Sequence, residues 1–92
     1  MTTELIGRRV VVRGRVQGVF FRDSVRRQAE SSGVCGWVAN RPDGSVEAVF
    51  EGEPDAVERL IEFSRRGPSR AEVKGVEITD EEPQGLSGFS IR

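Results

Sequence analysis

Apolar and polar positions alternate from Arg8 to Val16, which predicts a β-strand. Val10, Val12, Gly14 and Val16 share one face, and Arg9, Val11, Arg13 and Arg15 share the other. The first face reads as core. The second is polar and mostly cationic, as on a sheet with one open side. The period then changes. Phe21, Val25 and Ala29 recur at four-residue steps, predicting a helix over Arg22–Ser32 with Gln28 and Ser32 at the edge of its stripe. Gly33 is placed to close it in a left-handed conformation. So narrow a stripe makes the helix depend on packing against a sheet.

Val34 to Arg41 predicts a second strand, in which Gly36 allows another backbone to approach closely. Arg41-Pro42-Asp43-Gly44 is a turn signal: proline fixes φ, Asp suits the third position and Gly tolerates positive φ at the fourth. Ser45 to Gly52 alternates again, Val46, Ala48 and Phe50 against Glu47, Val49 and Glu51, completing a hairpin. On the open face Glu47 and Glu51 are expected to pair with Arg13 or Arg15. Glu53 to Arg66 predicts a second helix, with Pro54 in its first position and Val57, Leu60, Ile61 and Ser64 on its buried face, flanked by Ala56 and Phe63. Gly67-Pro68 ends it. Val73 to Ile78 predicts a fourth strand with broken alternation, consistent with a bulge. Thr79 to Gly88 reads as a surface loop, and Phe89 and Ile91 as inward residues of a short last strand. The order β-α-β-β-α-β predicts an α+β fold, an antiparallel sheet with both helices on one face. This is the split βαβ, ferredoxin-like arrangement.

Composition narrows the chemistry. Ninety-two residues suit one domain spanning 1–92, with a surface cleft in preference to an enclosed cavity. Histidine is absent and Cys35 is the single cysteine. No intrachain disulfide, cysteine-clustered metal site or His-based nucleophile pair can form, and Cys35 reads as a small half-buried apolar residue. The acidic residues show no clustered metal-site pattern, so neither metal nor cofactor is expected. Met1–Arg9 lacks the apolar stretch of a signal peptide, and no run approaches membrane-spanning length. A cytoplasmic protein with no membrane partner is expected. The net charge of −1 is uneven: residues 1–46 hold eight arginines against four acids, and residues 47–92 hold the acidic excess. That suits a small anionic ligand better than nucleic acid.

The basic half contains the turn Gln17-Gly18-Val19-Phe20-Phe21-Arg22. A helix N-terminus carries partial positive charge and unpaired N–H groups, so Arg22 in the first turn is unfavourable by some tenths of a kcal/mol, roughly. An anion between them reverses the sign. Gly18 permits φ > 0, the N–H groups of Val19, Phe20 and Phe21 lack intrahelical partners, and Arg22 adds a fork-shaped donor. These residue types fit a phosphate cradle. They also fit a plain βα turn with a solvated arginine. Asn40, just before the Pro-Asp-Gly turn, fits either a local backbone bond or a ligand contact. Trp37 reads as cover for the open face, and Arg13 and Arg15 as solvated or paired with glutamates.

Two stretches resemble a known family. Val12-Arg13-Gly14-Arg15-Val16-Gln17-Gly18-Val19-Phe20-Phe21-Arg22 is similar to the first signature of the acylphosphatases at every specified position. Gly36-Trp37-Val38-Ala39-Asn40, followed by Gly44, Val46 and Gly52, is similar to the second. The likeness covers essentially the whole chain. Ala39 stands where many relatives have a basic residue, and tyrosine, which some relatives use in packing, is absent; neither touches the two functional positions. The resemblance implies metal-independent hydrolysis of the carboxyl–phosphate anhydride of a small acyl phosphate. It implies that Arg22 and the N–H groups of Gln17 to Arg22 hold the phosphoryl group and that Asn40 orients the attacking water. The missing histidine is compatible with this: a carboxylate whose conjugate acid has a pKa of about 4 leaves without a general acid. The alternative is a non-catalytic module of the same fold that binds a phosphorylated metabolite. A single-stranded RNA binder is a third reading, disfavoured by the lack of stacking aromatics and of a strong basic excess. A free-standing monomer is expected.

Overall fold

The computed structural model describes residues 4–92; Met1–Thr3, part of the N-terminal stretch read above, lie outside them. The elements are β1 (Ile6–Arg15), α1 (Phe21–Ser32), β2 (Cys35–Asn40), β3 (Val46–Gly52), α2 (Pro54–Arg66), β4 (Glu72–Glu81) and β5 (Phe89–Ile91). They form one sheet in the order β4-β1-β3-β2-β5. β3 lies between β1 and β2, which are therefore parallel to each other and joined through α1. Both helices pack on one face. Val10, Val12, Val38, Val46, Ala48 and Phe50 from the sheet meet Phe21, Val25 and Ala29 from α1 and Val57, Leu60 and Ile61 from α2 in a single core. The two helical stripes are buried as their periodicity predicts, and Ser64 on the α2 stripe satisfies its hydroxyl by donating to the Leu60 carbonyl at 2.9 Å.

The ferredoxin-like α+β fold is as expected, with three antiparallel strand pairs and one parallel pair that makes the sheet mixed. β5 pairs parallel to β2, Gly36 opposite Phe89 and Val38 opposite Ile91. β4 runs antiparallel to β1, so it ends at the end of the sheet where β1 and β2 begin. The chain crosses beneath that end to the far edge, and a strand starting there must run with β2. β4 also continues through Thr79, Asp80 and Glu81, which the sequence reading gave to a loop, because β1 offers partners as far as Gly7. The expected bulge is present: the register shifts between Arg13 and Gly14, which face Gly75 and Val73, leaving Lys74 as the extra residue. Gly36 (φ 142°) makes the predicted close approach; a Cβ there would lie 1.8 Å from the Val49 carbonyl oxygen.

The open face is charged but differently paired than expected. Glu47 lies opposite Val11, so its diagonal partner is Arg9, which also donates to Glu81 at 2.8 Å. Arg13 is engaged by Glu77 and Asp43. Glu51 sits opposite Gly7 and finds no arginine; it is buried, and its carboxylate accepts the backbone N–H groups of Gln84 (2.7 Å) and Leu86 (3.0 Å), pinning the β4–β5 connection. Trp37 lies on this face beneath two guanidinium groups, Arg92 at 4.5 Å and Arg9 at 5.8 Å from the ring centroid.

Candidate active site

The C-terminal ends of β1 and β2 and the start of α1 meet at one end of the sheet. Between β1 and α1 the chain turns through Gln17–Phe20 with two left-handed residues, Gly18 (φ 70°) and Phe20 (φ 62°, ψ 24°). A Cβ on Gly18 would meet nothing within 4 Å, so it is this φ, and not a close approach, that glycine serves here. Phe20 is the one non-glycine residue with positive φ among the described residues, and it is 71% exposed. A left-handed L-residue costs about 1–2 kcal/mol. Burial of this side chain does not offset that cost, which marks the turn as a place where backbone direction matters more than local comfort. Alternating left- and right-handed residues aim successive N–H groups into one concavity.

Those N–H groups are unspent. Phe20 caps α1 without a side-chain hydrogen bond, and the first helical bond is Ser24 N–H to the Phe20 carbonyl at 3.0 Å. Among the described residues, the N–H groups of Gly18 through Asp23 have no protein acceptor. Arg22, in the first turn and half-buried, makes no ion pair among those residues. Its neighbour Asp23 is engaged elsewhere, by Arg26 (2.8 Å) and Arg27 (2.9 Å), and these guanidinium groups, Arg27 foremost, hold its carboxyl below the usual range. A cation and a set of N–H dipoles thus face the same space.

That space is a cavity of about 290 Å³. The turn and α1 supply Gly18, Phe20, Phe21, Arg22 and Asp23 to its wall; Val16, Asn40 and Ile91 complete it. Asn40 ends β2 opposite Val46, and its amide makes no hydrogen bond within the described residues. The turn bond open to it from sequence is made instead by Asp43, whose Oδ1 accepts the Ser45 N–H at 2.9 Å. The structure therefore brings Arg22 and Asn40 together with Gly18, Phe20 and Phe21. Gln17 and Val19 do not line the cavity. Val19 is buried in the core. Gln17 turns toward the β2–β3 connection, where its Nε2 donates to the carbonyls of Arg41 (2.8 Å) and Ser45 (2.9 Å). It ties the cradle to the turn that follows Asn40. Ile91 is absent from the site expected from sequence, where it reads as an inward strand residue. It is 39% exposed at the cavity because β5 lies parallel beside β2, a placement no local pattern signals. Asp23 was missed as well, although an acid in the first helical turn could have flagged it. No group of three or more His, Cys, Asp or Glu side chains is placed to hold a metal ion among the described residues.

The acylphosphatase family model matches residues 8–91. The chain belongs to the acylphosphatase family. It is 59% identical over 86 residues to an acylphosphatase of Rubrobacter xylanophilus, an alignment spanning 91% of this chain and 77% of that one. An acylphosphatase of Thermococcus kodakarensis is 56% identical over 78 residues, spanning 85% and 86% of the two chains. The structure of an acylphosphatase from Coxiella burnetii superposes with a TM-score of 0.91 at 41% identity, covering 96% of this chain and 93% of that one. Family membership favours a hydrolase over the non-catalytic binding module. No helix is long and apolar enough to cross a membrane among the described residues.

Proposed function

We propose that this cavity hydrolyses an acyl phosphate, with the phosphoryl group seated between the N-terminus of α1 and Arg22. The observation that carries this reading is the convergence of donors without acceptors among the described residues: the N–H groups of Gly18 and of Phe20 through Asp23, the Arg22 guanidinium and the Asn40 amide around one space. Phosphoryl transfer requires positioning and charge stabilisation more than covalent chemistry, and fixed dipoles with a guanidinium supply both. Arg22 engages two phosphoryl oxygens and the N–H groups take the remaining charge. The Asn40 side-chain carbonyl accepts a hydrogen bond from water and directs its oxygen at phosphorus. The new P–O bond forms as the bond to the acyl oxygen breaks, a carboxylate leaves with the electron pair, and the water proton passes to a phosphate oxygen. A neutral amide cannot act as a strong base, and the carboxylate leaving group removes the need for an acid. Residues 1–92 act as one domain, as a monomer in the cytoplasm, without metal or cofactor. Hydrolysis of benzoyl phosphate in ¹⁸O-labelled water tests the chemistry: the label enters phosphate if water attacks phosphorus, and label in benzoate contradicts the mechanism. Asn40→Ala is expected to lower kcat about 10²-fold with folding intact; full activity removes the water-positioning role.

A further inference from the structure

Ion pairing sorts the charges of the molecule by end. Arg15, Arg22, Arg41, Arg66 and Arg70 make no ion pair among the described residues. All of them belong to the end of the sheet that carries the cavity. Arg15 closes β1 and Arg41 follows β2. Arg15 lies opposite Glu72 at the start of β4, which brings Arg70 to the same end. Arg66 ends α2, and Gly67 beside it approaches Phe21 so closely that a Cβ would lie 2.9 Å from the ring. The acids at this end are already held: Asp23 by Arg26 and Arg27, Asp43 by Arg13 and Glu72 by Lys74. Glu4, Glu30, Glu53, Asp55 and Glu82 likewise make no ion pair among the described residues, but they stand at the opposite end, where β1 and α2 begin and α1 and β4 finish. The ten residues of β1 set the two ends about 30 Å apart, several Debye lengths at physiological salt, so the acidic end does not cancel the cationic one.

Arg22 lines the cavity and the other four arginines do not. We infer that Arg15, Arg41, Arg66 and Arg70 form a cationic collar that draws a dianionic acyl phosphate to the cavity without touching its phosphoryl group. A chain of net charge −1 attracts an anion in this way through the separation of its charges. The inference rests on the function proposed above. A charge outside the cavity wall acts on the whole charge of the substrate, which is the same in the ground and transition states. The collar therefore lowers KM and leaves kcat alone. Its field is screened by salt far more than the contacts made inside the cavity.

The test is kcat/KM for benzoyl phosphate between about 20 and 300 mM sodium chloride. Two double variants remove half of the collar each, Arg66→Gln with Arg70→Gln and Arg15→Gln with Arg41→Gln; the first leaves the neighbour of Asn40 in place. Each is expected to lower kcat/KM about threefold at the low-salt end, with kcat within about twofold of wild type, and to meet wild type at the high-salt end. Arg59→Gln removes an arginine midway along α2 and is expected to follow wild type throughout. Inhibition of wild type by inorganic phosphate should weaken over the same salt range. Salt profiles parallel to wild type in both doubles, a loss that persists at high salt, an equal loss in Arg59→Gln or salt-independent phosphate inhibition overturns the collar while leaving the hydrolase intact. Failure of wild type to hydrolyse benzoyl phosphate overturns the function and the collar with it.

Discussion

Gln17→Ala separates two roles for one side chain. The resemblance implies a phosphate contact for Gln17 through its backbone N–H, and the structure gives its side chain a separate role, with Nε2 bridging the carbonyls of Arg41 and Ser45 at 2.8 and 2.9 Å. Neither carbonyl is orphaned by the truncation, since Arg41 O also accepts the Gly44 N–H and Ser45 O the Arg41 N–H. The loss is then that of two net hydrogen bonds, about 0.5–1.5 kcal/mol each, and not of two desolvated acceptors. A total near 2 kcal/mol lowers the melting temperature of a domain this size by roughly 8–16 °C. The bonded carbonyls begin and end the turn after Asn40, so the amide loses its fixed approach to the cavity. A misplacement of about 1 Å costs on the order of 10²-fold in rate. The assays are a thermal melt followed by circular dichroism, kcat on benzoyl phosphate, and inhibition by inorganic phosphate. Lower Tm and kcat, with phosphate inhibition within about threefold of wild type, support the bridge. A wild-type Tm and kcat with weakened phosphate inhibition refute it and give the Gln17 side chain to the phosphate.

Three further outcomes follow from the backbone and the charges. Gly36→Ala directs a Cβ to 1.8 Å from the Val49 oxygen at φ 142°, so it should cost about 3 kcal/mol or more by urea denaturation; a wild-type midpoint contradicts this. Phe20→Gly removes about 1–2 kcal/mol of left-handed strain against about 0.5–1 kcal/mol of added glycine entropy, so the unfolding midpoint should hold or rise, and a loss above about 2 kcal/mol refutes the strained cap. Asp43 is held down at about 2, first by the Ser45 hydroxyl, then by its N–H, with Arg13 adding to the effect. A carboxyl lowered in the folded state stabilises fully above its ordinary value of 3.8 and loses that contribution as pH falls toward about 2. Carbon-detected NMR should therefore find the Asp43 midpoint near 2, and Asp43→Asn should flatten stability across that window; a midpoint near 3.8 contradicts it.

Some of this was legible in the sequence for a physical reason. Side-chain period follows directly from backbone geometry, so the stripes of Phe21, Val25 and Ala29 and of Val57, Leu60 and Ile61 could be read before any contact was known. Glycines at a helix end and inside a strand were legible for the same local reason, as Gly33 and Gly36 show. Features set by long-range pairing were not. Nothing near Ile91 says that β5 crosses to β2, and nothing near Glu51 says that its register sets it opposite Gly7 and under two N–H groups of a distant connection. Glu47 was matched to Arg13 or Arg15 without a register, and one diagonal step gave it to Arg9. Within the turn, Arg22 and Asn40 stood out by residue type. The left-handed Phe20 did not, because phenylalanine is among the residues least expected there.

The central claim is that Arg22 and the α1 N-terminus hold a phosphoryl group so that water can attack it. The most direct test is kcat/KM for benzoyl phosphate with EDTA present, wild type against Arg22→Ala, with matched circular dichroism spectra. Wild type should retain full activity in the chelator, and Arg22→Ala should fall by about 10³-fold or more. A folded Arg22→Ala variant within tenfold of wild type would contradict the account.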